Sequence, residues 1–160
     1  MSEPTAMLPA RAIGVVRCSV QEGRDEDWGD VVSELHLDAE LAGGLDGIDE
    51  FSHVLVVYWM HASSFDVARD LVRRPRWRAD MPELGIFAQR AKHRPNPIGV
   101  TAVRVVGRDG AVLRVRGLDA IDGTPLVDVK PYVPAFDRVD APTVPEWIDR
   151  LMRGYFSPTR

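Results

Sequence analysis

Two prolines separated by a single residue constrain this chain more than any other feature in it. Pro95 and Pro97 lock their own φ angles and remove two backbone donors, so neither a helix nor a central strand runs through them. Arg94 and Asn96, each ahead of a proline, are driven toward extended backbone. Residues 89–99 therefore form a stiff connection between two strands, and they carry Lys92, His93 and Arg94 in a row. A loop that is already rigid loses little entropy on closing around a ligand, which suits preorganised binding. The same residues also describe a plain rigid turn with solvated charges, and the stretch alone leaves both readings open.

Around this loop the chain reads as short strands. Residues 13–17 form a first one, and residues 33–38 alternate Glu34, His36 and Asp38 against Leu35 and Leu37, the period of a half-buried strand. Residues 51–60 are almost continuously apolar, as expected of a strand covered on both faces. Residues 85–89 lead into the loop and 100–107 leave it. Asp109-Gly110 then marks a hairpin to a strand at 112–118, and 126–132 alternates again. Gly43-Gly44 and Asp46-Gly47 are turn signals, and the acidic residues 21–30 read as a loop.

Two helices are expected. Ser63 caps the first, with Asp66 three residues on and an apolar stripe of Val67, Ala68, Leu71 and Val72, until Pro75 stops it. Thr143 and Glu146 cap the second, which presents Trp147, Ile148, Leu151 and Met152 and ends at Gly154. Strands and helices do not alternate, and no glycine-rich turn follows the first strand. A doubly wound sheet is therefore excluded in favour of a mainly β chain with mostly antiparallel strands and one or two peripheral helices.

A length of 160 residues suits one domain spanning the chain. The lone Cys18 forms no internal disulfide or zinc–thiolate cluster, which fits a reducing compartment. No secretion signal is read at the amino terminus, and the longest apolar run, 54–60, is too short to cross a bilayer, so a cytoplasmic protein without a membrane partner is expected. Charge is unevenly spread: residues 1–60 carry 12 acids and 3 bases, whereas 61–116 carry 5 acids and 12 bases. A basic middle either meets an anion or faces the acidic part of the chain. Nucleophilic triads, metal-ligand spacings and P-loops are missing, so hydrolase and kinase readings lack support and no metal is expected.

Three blocks carry a resemblance. The run Phe51-Ser52-His53-Val54-Leu55-Val56-Val57-Tyr58-Trp59-Met60-His61, residues 90–99, and Asp122-Gly123-Thr124-Pro125-Leu126-Val127-Asp128-Val129-Lys130-Pro131-Tyr132-Val133-Pro134 stand in the order found in TrmO-type tRNA methyltransferases, the YaeB family. The likeness covers about residues 13–137, and the chain resembles a short form without the extra carboxy-terminal domain of longer members. It implies a single-sheeted β-barrel, a homodimer, S-adenosylmethionine as methyl donor, and N6 of threonylcarbamoyl-adenosine beside the tRNA anticodon as acceptor, with no role for DNA. The donor site carried over comprises His61, Arg90, His93, Arg94, Pro95, Asn96, Val100, Ile121, Asp122, Gly123 and Thr124. Arg90 or Arg94 would fork onto the donor's carboxylate.

No catalytic side chain is assigned, because methyl transfer is an in-line displacement driven largely by positioning. Arg73, Arg74, Arg76 and Arg78 around Trp77, with Lys92, are the candidates for tRNA phosphates and a stacked base. Plainer readings stand beside these: His61 as a strand end at the surface, Asp122-Gly123 as a hairpin turn, His53 as a hydrogen-bonded interior residue, Tyr58 and Trp59 as packing. The chain departs from the family at Arg90-Ala91-Lys92-His93, where Arg-Ser-Pro-His is usual. It also lacks, within residues 21–30, the Pro-Arg-Gln-like segment that reaches the donor. A small-molecule acceptor, or donor binding without catalysis, are the competing functions.

Overall fold

The computed structural model describes residues 6–156, and in it the alternating runs close on themselves. There are eight strands: β1 (Gly14–Arg17), β2 (Val32–Leu37), β3 (His53–Trp59), β4 (Val72–Arg73), β5 (Leu84–Gly85), β6 (Ile98–Asp109), β7 (Val112–Arg116) and β8 (Pro125–Pro131). Six of them form a barrel in the order β1-β2-β7-β6-β3-β8, closed by β8 pairing back onto β1. Every pairing is antiparallel. Closure removes the exposed sheet edge at which strands of different molecules would otherwise pair.

Side chains alternate across each strand, so one set fills the barrel. Val16, Leu35, Val54, Val56, Val103, Leu113, Val115 and Leu126 are fully or almost fully buried there. Leu45 and Ile48, on two 3-10 turns (Ala39–Leu45 and Ile48–Glu50), pack against the same core. β6 is the long strand, and it serves two neighbours: its first half pairs with β3 and its second with β7. A register shift between Val105 and Gly107 lets it turn the corner between them.

Several sequence expectations need correction. The apolar run 51–60 does not yield a strand covered on both faces: Val54, Val56 and Tyr58 point inward, while Leu55 and Val57 are half-buried and Trp59 is exposed. A barrel has one dry side, and its outer face is apolar here. The first helix shrinks to α1 (Val67–Asp70), because Asp66 rather than Ser63 accepts from Arg69 N, at 3.0 Å. Ser63 Oγ instead donates to Met60 O. Beyond α1 the chain extends, since β4 pairs with β5 in a small separate sheet. Residues 86–88 form a 3-10 turn rather than strand, and Gly43-Gly44 lies inside a 3-10 turn. α2 (Pro134–Asp137) is a single turn, and α3 (Glu146–Met152) begins after Pro145 without a capping box from Thr143. The hairpin at Gly110 and the stop at Gly154 have the left-handed φ angles of +58° and +74° that those roles require.

Gly99 shows how tightly β3 and β6 fit. A Cβ there would lie 2.3 Å from the ring of Tyr58, its cross-strand partner, which is itself buried. Nothing lies within 4 Å of the corresponding position at Gly85. Gly99→Ala should therefore cost about 1–3 kcal/mol by overpacking, whereas Gly85→Ala should stay near neutral, as read by urea unfolding.

Candidate functional site

The proline-stiffened loop is pinned at both ends by backbone bonds. Met60 N donates to Pro97 O at 2.7 Å as β3 ends, Ile98 N donates to Asn96 O at 2.7 Å, and the Trp59–Ile98 and Tyr58–Gly99 pairs continue into the sheet. At its start, the buried Gln89 amide donates to Arg73 O at 2.8 Å and Leu84 O at 3.0 Å. Arg94 braces the loop internally, its guanidinium donating to Gln89 O at 2.9 Å and Ala91 O at 3.3 Å. Arg90, on the exposed side, donates to Val100 O. His93 Nδ1 lies 2.8 Å from Ser64 O, so the loop also touches the turn after β3, where His61 is exposed.

The second component is the turn at 121–124. Gly123 adopts φ +82°, and the space where its Cβ would stand is open. Gly123 N donates to Val16 O and Asp122 N to Val20 O. The Asp122 carboxylate accepts from Cys18 N at 3.1 Å and lies 3.6 Å from Arg17 Nη1, so it ties the turn to the end of β1. Thr124, 2% exposed, donates its hydroxyl to Ile121 O. The turn reading of Asp122-Gly123 thus holds as local structure, and the same backbone leaves Gly123 facing open space.

A residue that sequence reasoning passed over draws loop and turn together. Asp119 receives Tyr58 OH at 3.0 Å and the Thr101 hydroxyl on Oδ1, and Tyr155 OH at 2.6 Å on Oδ2. Thr101 follows Val100 and Asp119 precedes Ile121 by two positions, so the carboxylate ties together the chain next to candidates from both segments. Burial, and then the negative Asp119, push the ionisation of both tyrosines above the ordinary phenol range, so they remain neutral donors. Tyr58 is therefore more than packing. The only sequence signal was an acid inside the apolar run Leu118-Asp119-Ala120; nothing marked Tyr155.

The arginine loop differs most from a simple phosphate patch. Arg73 is 5% exposed, lies 3.6 Å from the fully buried Asp70 and stacks under Trp77 with its guanidinium 5.0 Å from the ring. Arg74 donates to Met81 O, Arg76 pairs with Asp25 at 3.3 Å, and Arg78 makes two bonds to Asp80, at 2.9 and 2.6 Å. Trp77 itself is 59% exposed on a corner where Arg76 and Trp77 have consecutive left-handed φ angles, +52° and +57°. Lys92 is exposed on the central loop.

Asp70 anchors this region. Its carboxylate accepts from Arg69 Nη2 at 2.6 Å and from Asp66 N at 2.9 Å. The Arg69 hydrogen bonds hold its pKa down to about 2. Because the folded value lies below the unfolded one, the contribution is complete above about pH 4 and is lost as pH falls toward the folded value. Acid unfolding of Asp70→Asn should accordingly show less loss of stability across that window than the parent chain shows.

Comparison with known proteins agrees with this geometry. The family model for the tRNA-methyltransferase O N-terminal domain matches residues 24–138. The chain is 39% identical over 136 residues, 82% of its own length and 71% of the other, to a probable S-adenosyl-L-methionine-binding protein of Pyrococcus abyssi. It is 39% identical over 107 residues, 63% of this chain and 45% of the other, to the tRNA (adenine(37)-N6)-methyltransferase of Escherichia coli. A crystal structure of TrmO from Pseudomonas aeruginosa superposes with a TM-score of 0.73 at 29% identity, covering 91% of this chain and 64% of that one.

Proposed function

The chain belongs to the tRNA-methyltransferase O N-terminal domain family, and from that premise we propose that it methylates N6 of the threonylcarbamoyl-adenosine next to the tRNA anticodon. It is an S-adenosylmethionine-dependent methyltransferase by family. The observation that carries the reading is the Asp119 carboxylate, two residues before the turn 121–124, accepting from Thr101 on β6, the strand that continues the stiff loop, and from Tyr58 on β3.

The residues present suit the donor. Its carboxylate needs a cation, which Arg90 offers: it is exposed and spends one nitrogen on Val100 O, whereas the half-buried Arg94 spans two carbonyls of its own loop. Its adenine needs backbone donors and acceptors held close, which the loop at His93, Pro95, Asn96 and Val100 and the turn at Ile121, Asp122, Gly123 and Thr124 supply, with His61 at the rim. S-adenosylmethionine supplies an activated methyl group. When the new N–C bond forms, the donor's sulfur would leave as the thioether of S-adenosylhomocysteine and the N6 proton would be lost; the protein's part is to hold the acceptor nitrogen in line with the methyl group. Arg90→Ala should lower donor affinity roughly ten- to a hundredfold, the worth of about 1.5–3 kcal/mol for a lost charge-assisted pair, with the unfolding midpoint unchanged. Calorimetry showing no donor binding by the parent chain would end the methyltransferase reading.

On the acceptor side, Trp77 is the exposed ring with a cation behind it, and Lys92 the exposed cation on the donor loop. Arg73, Arg74, Arg76 and Arg78 shape that corner through their internal partners, with their charge contributing at longer range. Trp77→Ala should therefore cost about 1–3 kcal/mol of tRNA binding if a base stacks there, and Lys92→Ser should flatten the salt slope by about one phosphate contact. Trp77→Ala should leave donor affinity unaltered. A parent chain that methylates no tRNA while binding the donor would favour a small-molecule acceptor, consistent with relatives named only for donor binding.

The assembly we propose is a homodimer through the outer face of β3 and β6. Leu55, Val57 and Trp59 stand there beside Ala102, Val100 and Ile98 in register. Three of these, Trp59, Ile98 and Val100, are about two-fifths exposed large apolar side chains in the single chain. Sedimentation should give a dimer at micromolar concentration, and Trp59→Arg should give a monomer.

A further inference from the structure

The carboxy-terminal segment reaches back to the barrel through the Tyr155 hydroxyl. Tyr155 lies after α3, its N–H on Met152 O, and its OH donates to Asp119 Oδ2 at 2.6 Å. The same residue's backbone is a strap. Tyr155 O accepts from Trp28 N at 2.9 Å, and Gly154 O accepts from Asp27 N at 2.9 Å. These two bonds hold the acidic loop at 21–30, which has little else of regular structure.

Within that loop the contacts run onward. Trp28 is 2% exposed; its indole N–H donates to Arg24 O at 2.9 Å, and the Arg24 guanidinium lies 5.1 Å above its ring. Gly23 beyond it stands against the central loop: a Cβ there would be 3.4 Å from Lys92 Nζ. Asp25 on the same loop pairs with Arg76, whose guanidinium lies 5.5 Å from the Tyr155 ring. Asp27 keeps a left-handed φ of +61°, a conformation that an aspartate holds when its surroundings determine it. Contacts therefore run from Asp119 through Tyr155 and Trp28 to Arg24, and Gly23 beside it lies near the Lys92 ammonium on the donor loop.

We propose that Tyr155 is a positioning residue for the donor site: its hydroxyl on Asp119 and its carbonyl on Trp28 hold residues 23–28 against the Lys92 loop as one wall of that site. The inference rests on the reading of the central loop as donor-binding. It also gives residues 21–30 a role although they lack the sequence expected to reach the donor. The hydroxyl is the strap's hydrogen bond to the Asp119 carboxylate.

Tyr155→Phe in the full chain removes one oxygen and leaves the ring for Arg76. Amide hydrogen exchange should quicken about tenfold at Asp27 and Trp28, while barrel amides such as Val56 and Leu113 stay protected, which also shows that the variant is folded. Donor affinity by calorimetry should fall by a similar factor, and methyl transfer should show a raised KM for the donor with kcat little changed at saturation. Unchanged exchange at Asp27 and Trp28, or quickened exchange with unaltered donor affinity, overturns the proposal. A parent chain that binds no donor defeats the donor-site reading itself, whereas a parent that binds and a variant that binds equally defeats only the strap.

Discussion

The convergence of three hydroxyls on the Asp119 carboxylate is the interaction on which the rest of this molecule depends. A carboxylate taken from water is costly unless its oxygens are met by donors, and here Tyr58, Thr101 and Tyr155 meet them. Tyr58 reaches Asp119 by passing its ring over Gly99, so β3 and β6 approach more closely than a side chain at position 99 would permit. Thr101 brings β6 and Tyr155 brings the carboxy-terminal segment. The stiff loop and the Gly123 turn are the segments that leave this point, and their relative placement follows from it.

Part of the uneven charge along the chain resolves within the molecule. Asp25 pairs with Arg76, Asp46 with Arg108, and Glu34 stands opposite Arg114 across β2 and β7. Acids from the first third thus meet bases of the middle third across the fold. The arginine-rich corner follows the same economy, with Asp70 and Asp80 holding Arg73 and Arg78. What this leaves at the surface is Trp77, on a backbone corner in a conformation that L-residues seldom adopt. Such corners persist where neighbouring contacts over-determine them.

Much of the barrel was legible because strands with one dry face write a period of two into the chain. Alternation sets Leu35 apart from Glu34 and His36, and Leu35 is fully buried. The first helix was overread because a helical stripe at Val67, Leu71 and Val72 looks the same whether or not the chain continues helical. The carboxylate of Asp70 and the pairing of Val72 with Gly85 decide otherwise. Likewise, a continuous apolar run does not say how many of its faces are covered, and β3 keeps one facing outward.

By itself the sequence determined what is local or periodic: the six barrel strands, the hairpin at Gly110, and a loop held rigid by Pro95 and Pro97. These depend on φ restriction and side-chain alternation, which a residue carries wherever it is placed. Only the tertiary structure decided which charges remain available, since Arg94 bends onto its own loop and Arg73 is buried beneath Trp77. It alone revealed Asp119, because that carboxylate's partners lie 18, 36 and 61 positions away along the chain. Contacts of that separation leave no period in a sequence, as they exist only once the barrel has closed.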